Sequence, residues 1–387
     1  MARPIPAIIN PAMLKWARET QGLPIDAAAN KLGIAIRTLS KAERISGTLS
    51  VSQLRKVAEV YKRPKAAFYL EEVPQEVSLP DFRTVQTKQQ HELTPEAKLA
   101  IREIQEKRMM ALQLQELLKM PNSLVYENLF TIYENAEEAG RKLRTLLQIT
   151  TDGARRSGDL TQVFNYWKTQ VEHINVLVFQ FGDVDIEVMR GFVVSERPYP
   201  TIGVNQRDYP YARIFTLAHE MCHIILNTTG ICSVSFSGVT SDSLETFCDQ
   251  VAGATLVPLD ELCTVAADKN LGFADFGSAR TAARTLGSYF KVSQPVIARR
   301  LHASKLLKYD IYRQVISAIQ AEGERAPSRG GGGGYYTTYF SKNSHRFLSL
   351  VFTGLDTNAI SAYDAMKFTG LKLHTLEKAK IQFQSEG

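Results

Sequence analysis

Residues 215–223 read FTLAHEMCH, an apolar run closed by two histidines four positions apart with a glutamate directly after the first. On an α-helix, positions i and i+4 share a face, so His219 and His223 can converge on one ion with Glu220 beside them. Tyr211, Phe215, Ala218, Ile225 and Leu226 can pack one flank of that helix while the histidines face a cleft. Zinc favours four ligands, and a site that keeps one position for water needs three from the protein. The fold must therefore bring a second element to the histidine pair.

The stretch SDSLETFCDQVAGATLVP offers that element. Ser241 or Ser243 can cap a helix carrying Glu245 and Asp249 at i, i+4 spacing, with Glu245 as third ligand and Asp249 placed to receive the other ring N–H of a ligand histidine. The competing reading makes Glu245 a solvated acid at the positive end of a helix dipole. Upstream, NVLVFQF (175–181), MRGFVVSE (189–196) and TIGVN (201–205) are short, β-branched and aromatic, so they predict strands of a small sheet. The edge of such a sheet can hold an extended peptide by strand addition.

Before the sheet the pattern is helical. Thr94 caps a long helix running from Pro95 to about Lys119, a second runs from Asn135 to Leu147, and a third from Leu160 to His173. With 387 residues, 44% hydrophobic and 22% charged, the chain is long enough for two or three folded domains. The N-terminal stretch is broken by prolines and no run approaches a membrane span, so we expect neither signal peptide nor anchor, and a cytoplasmic location. In a reducing compartment Cys222, Cys232, Cys248 and Cys263, with no CxxC pair among them, read as buried thiols.

Charge is concentrated at the front. Residues 1–70 hold twelve Lys or Arg against four Asp or Glu, a net +8, whereas the whole chain carries +6. Within this part AMLKWARETQ, IDAAANKL, AIRTLSKAERI and SVSQLRKVAEVY have apolar residues at helical spacing, broken at Gly22, Gly33 and Gly47. Gly33 links the second and third helices as a helix-turn-helix requires, and the third presents Arg37, Ser40, Lys41 and Arg44 to a major groove. LKWARETQGL, ANKLG, TLSKAE and LRKVAEVY resemble the Xre helix-turn-helix family over about 60 residues, which implies binding of double-stranded DNA. Pro24, Ile25 and Asp26 replace the usual polar opening of the second helix, and Ala35 and Ile36 that of the third, removing phosphate and base contacts.

Residues 279–307 also have a helix-turn-helix look, with Ser293 as cap, and are read as packing. APSRGGGGG (326–334) separates a last module. In it, ISAYDAMKFTGLKLHTLEKA aligns with IDAAANKLGIAIRTLSKA so that Gly370 falls on Gly33, Thr375 on Thr38, Leu376 on Leu39 and Ala379 on Ala42.

RIFTLAHEMCHIIL and ETFCDQVAGATLVP resemble the ImmA/IrrE metallopeptidases, over about residues 150–270. The resemblance implies zinc held by His219, His223 and Glu245, with Glu220 as catalytic acid/base, and Xre heads are known on such peptidases. Cys222 departs from the glycine usual before the second histidine, and Asp249 from a commoner asparagine. His302, Tyr209, Tyr211 and Arg213 are candidates to assist an oxyanion. The expected fold is α+β: an all-helical helix-turn-helix bundle (1–72), a helical connector (73–148), a zincin-like metallopeptidase domain of small sheet plus HExxH helix (149–325), the Gly-rich linker (326–334) and a small helical module (335–387). The expected activity is regulatory cleavage of a specific repressor-like or antitoxin-like protein, one encoded nearby being a candidate, and a homodimer is compatible with this plan. The contrasting reading is a regulator or antitoxin that keeps the peptidase fold as a partner-binding scaffold.

Overall fold

Asn10 starts the first helix by accepting the Ala12 N–H at 3.0 Å while donating to the Leu70 and Glu71 carbonyls, so a single side chain closes the two ends of the front bundle. The structure, a computed structural model, describes residues 5–74, 93–121, 126, 128–228, 230–232, 243–322 and 334–386. These fall into two compact units, one of residues 5–74 and 93–102 and one of residues from 103 onward.

In the first unit α1 (Pro11–Glu19), α2 (Ile25–Leu32), α3 (Ile36–Ala42), α4 (Val51–Val60) and a 3-10 turn (Lys65–Tyr69) enclose a core that includes Leu14, Leu39, Leu54 and Phe68. Gly33 ends α2 at φ 68°, a left-handed conformation that costs glycine little, and its N–H caps the Ala29 and Asn30 carbonyls. Neither α2 nor α3 has a side-chain N-cap, in keeping with Pro24 and Ala35 at those positions. Arg18 compensates from within: it clasps both Glu43 oxygens at 2.6 and 3.0 Å and the Leu23 carbonyl at 2.9 Å, joining α1 to the turn before α2 and the end of α3. The next helix, α5 (Pro95–Leu117), opens under Thr94, whose hydroxyl accepts the Ala97 N–H.

The second unit is built on a four-stranded sheet of order β1-β3-β2-β4: β1 (Leu177–Phe181), β2 (Gly191–Val194), β3 (Thr201–Asn205) and β4 (Gly230–Cys232). β1 runs parallel to β3, from Leu177 opposite Thr201 to Phe181 opposite Asn205, while β2 is antiparallel to both β3 and β4. Every residue of β1, β2 and β3 is buried. That is why they read as unbroken apolar runs. The fourth strand has three residues, too few for alternation to mark it, and sequence analysis missed it.

Around the sheet stand α6 (Ala136–Leu146), α7 (Thr151–Arg156), α8 (Leu160–His173), α9 (Pro210–Ile225), α10 (Ser243–Leu256), α11 (Leu259–Asp268), α12 (Phe276–Phe290), α13 (Gln294–Ala303) and α14 (Tyr309–Glu322). One hydrophobic core runs through them from Tyr126 to Ile319. The six-residue α7 was also not expected, being shorter than two turns. Ser293 precedes α13 as foreseen but makes no side-chain cap, because Pro295 in the first turn has no N–H to offer. Among the described residues no helix is long and apolar enough to cross a membrane.

The last module comprises α15 (Tyr335–Lys342), α16 (His345–Asp356), α17 (Ala362–Thr369) and α18 (Leu373–Glu386). Except for Gly334 the glycine-rich linker lies outside the described residues. α15 and α16 pack on β1. Lys168 of α8 donates to the Phe340, Ser341 and Asn343 carbonyls, and Glu172, one turn on, accepts the His345 N–H. The aligned segments match in form: α17 and α2 both have eight residues, Gly370 ends α17 at φ 70°, and α18 starts at the position equivalent to the start of α3. Ala365, Thr369, Leu376 and Ala379 are buried, as are Ala28, Leu32, Leu39 and Ala42.

Candidate metal centre

Pro210 opens α9, where its missing N–H costs nothing, and from Ala212 to Ile225 every residue is buried. His219 and His223 are included, at 1% and 3% exposure, which corrects the expectation that they line an open cleft. The reason is position: α9 packs against α8, α10 and strands β2, β3 and β4, so none of its faces is left to solvent. Its approach to β2 depends on Gly191, where a Cβ would stand 2.5 Å from Thr216 Cγ2 and 3.4 Å from Glu220 Oε1.

α10 is held equally closely from behind. A Cβ on Gly140 of α6 would meet the Ala254 Cβ at 2.5 Å. At the C-terminal end of α10, Arg144 of α6 donates to the Thr255 carbonyl and Arg300 of α13 to the Val257 carbonyl, both at 2.9 Å. Two guanidinium groups thus satisfy carbonyls that a helix end leaves without intrahelical partners. Ser243 is the first residue of α10 and Ser241, the other proposed cap, lies outside the described residues.

The two helices bring His219, His223 and Glu245 together, with one ligand atom from each within 4.8 Å of the others. His219 Nε2 and His223 Nε2 are 3.1 Å apart, and the Glu245 oxygens lie 3.3 Å from each. A tetrahedral zinc with bonds of about 2.0–2.1 Å sets its ligand atoms about 3.3 Å apart, so the spacing fits such an ion.

The outer hydrogen bonds fix the tautomers. His219 Nδ1 donates to Asp249 Oδ1 at 3.0 Å, as the i, i+4 spacing of Glu245 and Asp249 predicts. The Thr228 hydroxyl donates to the His223 carbonyl, so its oxygen accepts from His223 Nδ1 at 2.8 Å. Both Nε2 lone pairs then face each other and a carboxylate, an arrangement that demands positive charge between them. Protonation at Nε2 would supply that charge in another way, and the electrostatics of the cluster are those of protonated imidazoles. Burial works to raise the Glu245 carboxyl, but hydrogen bonds from both imidazoles hold it far below the usual carboxylate range. Burial works to lower His223, yet hydrogen bonding with Cys248 and Glu245 lifts it to about 10. Cys248 itself is pushed up by burial and by the Cys222 thiol, so it stays protonated and is a poor metal ligand.

Glu220 is buried beside the cluster, against β2 at Gly191. Thr228 and Gly191 shape the site and neither was singled out in the sequence, since no spacing rule links them to the motif. Cys222 and Cys248 are the buried free thiols expected, whereas Cys263 is a free thiol that is exposed, which corrects that expectation: it falls outside the buried stripe of α11, Leu262, Val265 and Ala266. Of the oxyanion candidates, Arg213 is turned away, donating to Gln180 Oε1 at 2.7 Å and lying 4.8 Å from the Phe164 ring centre. His302 stacks on Tyr312 with its Nδ1 3.1 Å from the Leu307 carbonyl. Tyr209 caps α9 and Tyr211 lies in its first turn. In the first unit Arg37, Lys41 and Arg44 are exposed and Ser40 half-buried, on the side of α3 and its following turn opposite the buried Leu39 and Ala42.

Residues 171–302, which hold His219, Glu220, His223, Glu245 and Asp249, match the IrrE N-terminal-like domain, and residues 14–68 match a helix-turn-helix family. The chain thus carries a segment similar to a helix-turn-helix family ahead of one similar to the IrrE N-terminal-like domain. No curated protein matches it. The IrrE-like match begins after α6, so Gly140 and Arg144, which seat α10, are supplied by chain outside the matched segment.

Proposed function

We propose that the chain is a regulatory zinc-dependent endopeptidase with a DNA-binding head, and that it cleaves a specific repressor-like or antitoxin-like protein. The observation that carries this reading is the convergence of His219, His223 and Glu245 at 3.1–3.3 Å with both Nδ1 atoms already engaged. Those three residues would hold the ion, and Asp249 would orient His219. Zinc, when bound, acts as a Lewis acid that makes water acidic and polarises a carbonyl. Glu220 takes the proton of the attacking water on a carboxylate oxygen and returns it to the leaving amine nitrogen. A polypeptide substrate can be held in extended form by strand addition, and β4, an edge strand that touches α9, could pair with it. In this reading residues 1–72 bind duplex DNA through Arg37, Ser40, Lys41 and Arg44, 73–148 connect, 149–325 form the catalytic domain, and 335–387 follow the linker.

The deciding experiment is Glu220→Gln, which preserves size and helix while removing the proton acceptor. Zinc content and fold should persist, whereas cleavage of a co-expressed neighbouring protein should drop by about 10²-fold or more. A partner that co-purifies equally with both variants and is cut by neither would establish the scaffold reading instead.

A further inference from the structure

Away from the metal centre, α7, the end of α11 and α12 enclose a hollow of about 760 Å³. Five cationic side chains line it, Arg155, Arg156, Lys269, Arg284 and Lys291, against one carboxylate, Asp152. That carboxylate is already shared, 3.4 Å from Arg155 and 4.0 Å from Arg156.

Cations at helix C-termini are ordinary, and four of the five sit at such ends: Arg155 and Arg156 in the last turn of α7, Lys269 capping α11 and Lys291 capping α12. Three helix ends supply only about −0.5 charge each, so dipoles and Asp152 together leave a surplus of more than two positive charges. Arg284 lies mid-helix, where no dipole argument applies. The Tyr289 ring braces two of the cations, with the Arg155 guanidinium 4.2 Å and the Lys269 ammonium 5.9 Å from its centre. Thr285 and Ser288 add hydroxyl donors to the same wall.

We propose that this hollow is a binding site for a small oligophosphate ligand, such as the phosphate tail of a nucleotide. Its volume lies in the range of small-molecule pockets, its cations come from three elements and so surround a compact anion, and two of its guanidinium groups can form paired hydrogen bonds to phosphate oxygens. A nucleic-acid backbone shares the phosphate chemistry, but it is better met by a long basic strip than by a single half-open hollow lined from three elements.

The test uses the full chain and inorganic tripolyphosphate, followed by calorimetry and thermal shift at constant ionic strength, with sulfate as control. Tripolyphosphate should bind and sulfate should not, and Arg284→Ala with Lys291→Ala should weaken binding at least tenfold with unchanged circular dichroism. Arg284 is exposed and Lys291 half-buried just past the end of α12, so folding should tolerate the change. Equal responses to tripolyphosphate and sulfate, or equal binding by wild type and variant, would overturn the proposal. A 20-base-pair duplex is added to a chain whose Lys41 and Arg44 are replaced by Ala. If only the duplex binds, and Arg284→Ala with Lys291→Ala abolishes it, the hollow belongs to a nucleic-acid backbone and the small-ligand assignment falls.

Discussion

Asp249 acts through His219 rather than on any reacting atom. By accepting the Nδ1 proton at 3.0 Å it leaves Nε2 as a lone-pair donor and holds the ring toward Glu245. Asp249→Ala should leave the fold intact, because this side chain is 28% exposed, but should weaken metal affinity by about 10–100-fold. Competition with a chelator of known affinity measures it. Unchanged affinity would mean that packing alone orients the imidazole. Thr228 plays the matching part for His223, which explains why a neutral threonine just past the end of α9 is engaged so closely, at 2.8 Å.

At the scale of elements, placement of Glu245 depends on how near α6 lets α10 come. Gly140→Val would force the two helices apart at Ala254, two and a half turns along α10 from Glu245. We expect a loss of about 1–3 kcal/mol in stability from overpacking, together with reduced metal content. A variant that unfolds at the same denaturant midpoint as wild type would show that the contact relaxes freely. The second element-scale prediction concerns α3, proposed above to meet duplex DNA. Lys41→Ala with Arg44→Ala should weaken duplex binding across sequences and make it less salt-dependent by about two counter-ions, since both cations are exposed and available to phosphates. Titrations at several salt concentrations read both effects, and an unaltered salt slope would place the DNA contacts elsewhere.

Across the second unit, the joint between α8 and the last module is buried and ionic. Lys168 serves three carbonyls and Glu172 receives the His345 N–H, so a module that follows a glycine run is nonetheless fastened to the body. Burial, with the nearby Lys168 charge, lowers the His345 imidazole to about 4. Its unfolded value is about 6.5, so its contribution to stability is present above pH 6.5 and is lost as pH falls through 4. Glu172 acts in the opposite sense: burial raises its carboxyl, so the folded state takes up a proton where the unfolded chain does not. The two oppose each other in the native chain, so the effect of the histidine is read as a difference between variants. His345→Gln should gain stability relative to wild type between pH 6.5 and 4, by about 1–2 kcal/mol allowing for partial exposure. Urea midpoints of both proteins at pH 7 and pH 4.5 test this. A constant difference between them would show that His345 titrates normally.

Local rules made the front bundle, the strands β1 to β3, helices α5, α6, α8 and α9 and the glycine-punctuated turns legible from sequence. Each depends on periodicity, capping or φ preference within a few residues. The same holds for the donors: His219 with His223, and Glu245 with Asp249, are i, i+4 pairs, and helix geometry alone puts each pair on one face. That α17 and α18 repeat the form of α2 and α3 was visible in Gly370 and Gly33, because a left-handed turn tolerates few other residues. Tertiary structure decided the rest. Only the meeting of α9 with α10 sets the 3.1–3.3 Å separations, and only the packing of helices and strands on every side of α9 buries the histidines that an amphipathic reading turned toward a cleft. Gly191, Gly140, Thr228, Arg144 and Arg300 matter through close approach and through contacts, several of them over long stretches of chain, and the basic hollow gathers charges from three helices. Such contacts carry no local signature: a helix specifies its own faces through its period, but what those faces meet depends on how the whole chain excludes water.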